Sequence, residues 1–171
     1  IELPKNVKEA LEIDARTGTT YWRDALELEM ENVRVAFDIL KDEDEIPPGY
    51  QIIDCHVVFD IKMGSLRRKS RYVAGGHMTD PPAVITYASV VSRESVRIAF
   101  TIAALNGHDV MAADIMNAYR TSPCDEQIWT TLGPEFGPEL AGKRAIVVRS
   151  LYGLKSAGAA YRYHLATCME H

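Results

Sequence analysis

Only three cysteines occur in 171 residues, Cys55, Cys124 and Cys168, widely spaced and without a Cys-x-x-Cys pair. Their sparsity excludes a disulfide framework and a zinc knuckle, and leaves reduced intracellular thiols expected to behave as ordinary half-buried residues. Long apolar runs are missing too. The longest apolar or small stretch, Ile98 to Leu105, is broken by Thr101, and it falls far short of the ~20 residues that a bilayer requires, which excludes a membrane span. No secretory or transit segment is read at the amino end, nor any internal repeat or low-complexity tract. The chain opens at Ile1 rather than at methionine, as expected of a piece of something longer. With 47% hydrophobic and 25% charged residues, the composition is that of a globular chain of one domain or slightly more.

A surplus of basic charge, which phosphate contacts reward, is also absent: the formal net charge is −5. The total hides a split. Ile1 to Ile46 carries six basic residues against thirteen acidic ones, whereas Pro47 to His171 carries thirteen against eleven. The densest basic cluster is Lys62 to Arg71, where Lys62, Arg67, Arg68, Lys69 and Arg71 stand with no acid among them.

Hydrophobic spacing orders the elements. Asn6 to Ala15 predicts a short helix ended at Gly18. Thr19 or Thr20 caps a second, whose apolar residues Trp22, Leu26, Met30, Val33, Phe37 and Leu40 recur at three- and four-residue steps, with Trp22 a core anchor and Asp42 to Glu45 a solvated helix end. Pro47-Pro48-Gly49 breaks the chain and divides a leading acidic helical segment, 1–46, from the remainder, 47–171. Tyr50 to Lys62 alternates, with Ile53, Cys55, Val57, Phe59 and Ile61 on one face, which predicts a half-buried strand. Met63-Gly64-Ser65 turns it into a second strand, Leu66 to Gly75. Ser92 caps a helix through Leu105 with Val96, Ala99, Phe100 and Ala103 on one stripe and Gly107 at its end. Asp109 to Ile115 is a short apolar run ending on Asp114. Ile128–Leu132 and Ala145–Leu151 are strand candidates around a Gly/Pro-rich loop, and Lys155–Met169 is helical. The class is α+β, mixed helices with mostly antiparallel strands.

Asp114 invites attention because a carboxylate closing an apolar strand between small neighbours is suited to a hard divalent ion, which Mg²⁺ accepts from one or two carboxylates plus substrate phosphates. Taken alone, such an acid is as a rule a turn or cap residue. A basic two-stranded ribbon can fold over a triphosphate, and equally can serve as a solvent-facing edge that resists pairing. His56 and His77 have no recognised ligand spacing and read as surface or hydrogen-bonding histidines.

Four ordered strings narrow the choice. Arg68-Lys69-Ser70-Arg71-Tyr72-Val73-Ala74-Gly75-Gly76, Tyr87-Ala88-Ser89-Val90-Val91-Ser92, Asp114-Ile115-Met116-Asn117-Ala118-Tyr119 and Leu151-Tyr152-Gly153-Leu154-Lys155-Ser156-Ala157 together resemble, in order and spacing, the reverse transcriptase of copia-type long-terminal-repeat retrotransposons, from about Trp22 onward. The resemblance implies the fingers hairpin and partial palm of a right-hand polymerase, truncated at the carboxyl end. It implies an RNA-directed DNA polymerase, a nucleotidyltransferase that works on an RNA or DNA template-primer and deoxynucleoside triphosphates, with no membrane partner, in a cytoplasmic particle or the nucleus.

By the same resemblance, Arg68, Lys69 and Arg71 contact the triphosphate, and Asp114 is the first catalytic aspartate and a metal ligand together with the Ile115 carbonyl. Asn117 and Ala118 lie beside the nucleotide, and Tyr119 excludes a ribose 2′-hydroxyl. Tyr152, Gly153 and Lys155 lie against template and base pair. Without the resemblance, Tyr119 and Tyr152 read as packing residues and Gly153 as a turn.

Such chemistry uses two Mg²⁺ ions and therefore more than one carboxylate. The family supplies the others from a Tyr-x-Asp-Asp motif downstream, which these 171 residues do not contain; Asp125 and Glu126 are no substitute. The chain by itself is therefore expected not to polymerise, and to self-associate through surface left uncovered. Three positions depart from the family pattern: Arg120 replaces a common apolar residue, Ser156 a frequent glutamine and Gly158 a frequent proline. A non-catalytic remnant that at most binds nucleic acid or a partner is the alternative expectation, and an unrelated acidic interaction domain is a third.

Overall fold

Asn6 starts the first helix by accepting the Glu9 N–H at 2.9 Å, an amide that a helix leaves free, while Glu9 returns a carboxylate oxygen to the Lys5 N–H just before the cap at 2.8 Å. The computed structural model describes residues 1–170, and this helix, α1, spans Val7–Thr17. Gly18 closes it at φ +66°, as expected of a left-handed stop. The next helix, α2, spans Tyr21–Val33. Thr20 is its N-cap residue but makes no side-chain cap bond. Asp14, 1% exposed, accepts the Trp22 and Arg23 amides at 3.0 and 2.9 Å and the Thr19 hydroxyl at 3.1 Å, whereas the Thr20 hydroxyl turns to Asp24. One buried carboxylate thus joins both helices.

The α2 stripe buries Trp22, Leu26, Met30 and Val33, but the helix stops before the expected Leu40. A 3-10 turn, Arg34–Ala36, follows, and Phe37–Ile39 is a strand, β1. The helical period formally continues through Phe37, yet Phe37 and Ile39 find ladder partners in Val147 and Ala145. Tertiary pairing decides the conformation of a segment whose inward residue is the same either way.

Five more strands follow: β2 (Gln51–Ile52), β3 (Cys55–Lys62), β4 (Arg67–Ala74), β5 (Ile128–Thr131) and β6 (Arg144–Val147). Four form a sheet in the order β1-β6-β5-β2, parallel only between β2 and β5, and β3-β4 is a separate antiparallel hairpin. Pro47-Pro48-Gly49 lies in the loop between β1 and β2, and residues on its two sides share one core. Helix α2 lies on the hairpin. Trp22 meets Phe59 edge to face at 5.5 Å, and the Ser70 hydroxyl donates to the Ala25 carbonyl at 2.6 Å. Phe37, Tyr72 and Phe136 form a mutually perpendicular trio, with centroids 5.3 to 6.0 Å apart, that ties hairpin to sheet.

Three further helices are α3 (Arg93–Leu105), α4 (Ala118–Thr121) and α5 (Ala157–Met169). Ser92 caps α3 through the Ser95 N–H and Gly107 ends it at φ +65°. The expected inward stripe is not buried: no α3 residue is, and Phe100 is 54% exposed. The expected strand Asp109 to Ile115 is irregular and exposed, because no strand of either sheet pairs with it and a strand without a ladder leaves its amides unmet. The result is a mixed helix and strand fold with mostly antiparallel sheets. Among the described residues no helix is long and apolar enough to cross a membrane.

Candidate functional site

The hairpin register divides its basic residues between two faces. Pairing of Asp60 with Lys69 and Val58 with Arg71 sets Lys69 and Arg71 on the outer face, whereas Ile61 opposite Arg68 sets Arg68 on the inner one. Arg68 is thereby occupied. Its guanidinium lies 4.8 Å from the centroid of the Tyr21 ring and donates to the Leu66 carbonyl at 3.2 Å, bracing the hairpin tip against the first turn of α2. Lys69 is exposed. Arg71 pairs loosely with Asp60 at 3.4 Å and stands 5.9 Å from the centroid of the Tyr152 ring.

Tyr152 reaches that place because its loop is pressed against the end of β4. The Ala74 N–H donates to the Tyr152 carbonyl at 2.8 Å. The approach leaves no space for a side chain on either backbone. A Cβ on Gly153, which holds φ +92°, would lie 2.0 Å from the Ala74 carbonyl, and one on Gly76 would lie 2.2 Å from the Gly153 carbonyl. Two glycines that read as a strand end and a turn are a backbone crossing. Lys155, half-buried, donates its ammonium to the Thr79 carbonyl.

Tyr119 completes the cluster from α4. Its ring is 4.9 Å from Tyr152 and 6.0 Å from Tyr161 of α5. Ala118 opens α4, and Asn117 precedes it at φ +55° with its amide donating to the Asn32 side chain at 3.3 Å. Residues from three separate motifs, Arg71, Tyr119 and Tyr152, therefore meet. Asp114 and Ile115 do not join them through regular structure, since both lie exposed on the irregular segment before α4.

The metal fit follows from that placement. No three His, Cys, Asp or Glu side chains gather as a metal-binding group among the described residues. One carboxylate with triphosphate oxygens suits one hard ion; two ions require carboxylates that the described residues do not bring together. His56 is exposed on the outer hairpin face and His77 is exposed in a 3-10 turn.

Sequence reasoning passed over Glu29. It lies on the α2 stripe, three residues after Leu26 and four before Val33, and is 8% exposed. Its carboxylate accepts two bonds from the Arg120 guanidinium at 2.8 and 2.9 Å, and also the Tyr72 N–H at 2.8 Å on the open edge of β4. A carboxylate on an apolar stripe, with an arginine where the reverse transcriptases it resembles commonly have an apolar residue, was the available signal. The other two departures have neighbours of their own. Ser156 donates its N–H and hydroxyl to buried Glu126 at 2.8 and 2.7 Å at the start of α5, and a Cβ on Gly158 would press on Ala88 at 3.2 Å.

Cys55 and Cys124 carry no activated chemistry. Burial pushes the Cys55 thiol up to about 11 and the Cys124 thiol up to about 12, the opposite of what a nucleophile needs. A cavity of about 480 Å³ between Gln51, Asp80 and Gln127 is walled by Asp125 and Glu126 and by no cation, so phosphate does not suit it. Comparison with protein-family models, curated proteins and solved structures finds none that matches this chain.

Proposed function

We propose that the chain is the amino-terminal fingers and partial palm of a copia-type reverse transcriptase, and that the outer hairpin face with the tyrosine cluster receives the incoming deoxynucleoside triphosphate. One juxtaposition supports the reading: Arg71 stands 5.9 Å from the Tyr152 ring centroid, and Tyr152 stands 4.9 Å from Tyr119. Cation beside aromatic is the pairing that a phosphate and a base require at adjacent points. In this reading Lys69 and Arg71 take the phosphates, while Asn117, Ala118 and Tyr119 border the sugar. Tyr152, Gly153 and Lys155 border the base pair of an RNA or DNA template-primer. Arg68 acts through the hairpin tip rather than on the ligand. Mg²⁺ would come with the triphosphate and find Asp114 as the protein's carboxylate. An intracellular particle or the nucleus is the compartment this reading implies.

The exposed position of Asp114 favours a second reading, a non-catalytic remnant that binds but does not polymerise. Calorimetric titration with a deoxynucleoside triphosphate and Mg²⁺ tests the binding common to both: Lys69→Glu with Arg71→Glu is expected to abolish it, and equal binding by that variant contradicts it. The downstream reading frame separates the two. The chain alone is expected to extend no primer under either reading, and a messenger that continues in frame through Tyr-x-Asp-Asp supports the first.

A further inference from the structure

Tyr119 has little local support. It sits in α4, four residues long, after an irregular exposed stretch, and Asn117 at its start holds φ +55°, a left-handed turn that asparagine tolerates and that separates the helix from the backbone before it. Its support comes from α2. Asn117 donates to Asn32 at 3.3 Å, and Arg120 donates to Glu29 at 2.8 and 2.9 Å. Glu29 and Asn32 are one turn apart on the same helix, as Asn117 and Arg120 are three residues apart, so the contacts form two parallel rungs with Tyr119 between their upper ends.

We propose that the Glu29–Arg120 and Asn32–Asn117 rungs are positioning contacts that set the Tyr119 ring over Tyr152, so that the acidic leading helix governs how tightly the sugar pocket closes. The role in sugar selection rests on the reading of Tyr119 given above; the ring placement does not. Packing alone does not account for the first rung. The Arg120 side chain is 5% exposed and its Nη1 is buried without a partner, an arrangement that an apolar residue would spare. Glu29 has a second task, accepting the Tyr72 N–H, which ties the same rung to the strand carrying Arg71. A shift of α4 against α2 would therefore change the distance between the phosphate-binding and sugar-binding sides together.

The test uses the whole chain and two variants. Glu29→Gln with Arg120→Leu removes both charges together and leaves an acceptor for Tyr72; Asn32→Ala removes the second rung with a residue that favours helix. Ring-to-ring nuclear Overhauser contacts between Tyr119 and Tyr152 report placement, and the ratio of ribonucleotide to deoxynucleotide Kd reports the pocket. Both variants are expected to keep a cooperative thermal transition, weaken the ring contacts and lower the ratio roughly tenfold for the charge pair and severalfold for Asn32→Ala, given that displacements of about 1 Å cost up to ~10²-fold. Unchanged ring contacts in either folded variant overturn the positioning role. Weakened contacts with an unchanged ratio overturn its link to sugar selection. If the unaltered chain binds no triphosphate, the functional reading fails while the ring contacts still decide the positioning claim.

Discussion

Arg120 donates to both carboxylate oxygens of Glu29, at 2.8 and 2.9 Å, across 91 positions of chain. The pair is buried on both sides, with side chains 5% and 9% exposed, and it closes α4 onto α2 where two segments of opposite charge balance meet. Breaking such a pair by removing one partner strands a charge in low dielectric. Arg120→Leu alone is expected to lower the free energy of unfolding by about 3–5 kcal/mol. Adding Glu29→Gln is expected to restore most of it, and a double-mutant cycle in urea measures the coupling.

Gly153 and Gly76 make the crossing that delivers Tyr152 to Arg71. Gly153→Ala forces a Cβ to 2.0 Å from the Ala74 carbonyl at φ +92°, so a loss of about 1–3 kcal/mol is the minimum expected from backbone strain. Gly64→Ala, at a position with no atom within 4 Å of the added carbon, is the control and is expected to stay within about 1 kcal/mol of the unaltered chain. Equal denaturation midpoints for the two variants would refute the crossing.

The buried thiols give a pH dependence with a definite sign. Cys55 and Cys124 rise from an ordinary 9.0 to about 11 and about 12 by burial, and burial raises the Tyr72 phenol as well. Above pH 9 the unfolded chain loses these protons while the folded chain keeps them, so the unfolded state binds fewer protons and stability falls as pH climbs. Stability from these groups is fully present below about pH 9 and drains between about 9 and 12. At pH 8 a thiol reagent is expected to modify only exposed Cys168 in the native chain and all three cysteines in denaturant. Rapid native labelling of Cys55 or Cys124 would contradict the buried placement.

Helix α3 and its flanks expose Ile98, Phe100, Ile102 and Leu105 together with Ile85, Val90 and Val91. Large apolar side chains left exposed in this number drive association in water. Light scattering behind size exclusion is expected to show self-association of the chain, shifted towards monomer by Ile98→Glu with Ile102→Glu, residues whose exposure leaves the core untouched. A monodisperse monomer before substitution would contradict it.

The parts legible in the sequence are those where one face is buried against one solvated. The alternation over Tyr50 to Lys62 predicts one strand, of which Cys55–Lys62 is β3 while Gln51–Ile52 separates as β2 to pair with β5, and the hairpin follows because a slip of one residue would expose Val57 and Phe59. The α2 stripe is equally plain, but its end is not, since Phe37 satisfies both the helical period and the ladder with Val147. The basic cluster misleads in a specific way: neighbours in sequence lie on opposite faces of a strand, so Arg68 parts from Lys69 and Arg71. Pairing is what a single sequence withholds. The strand expected at Asp109 to Ile115 lacks a partner, and the meeting of Tyr119 with Tyr152 depends on two glycines whose purpose appears only when the backbones cross.

The most direct test of the account is equilibrium binding of a deoxynucleoside triphosphate with Mg²⁺ to the intact chain, to Lys69→Glu with Arg71→Glu, and to a charge-matched control, Lys5→Glu with Lys8→Glu, on the exposed start of α1. Binding by the intact chain and the control, and its loss in the hairpin variant, is the expected result. Equal affinity in all three, or none in the intact chain, would contradict it.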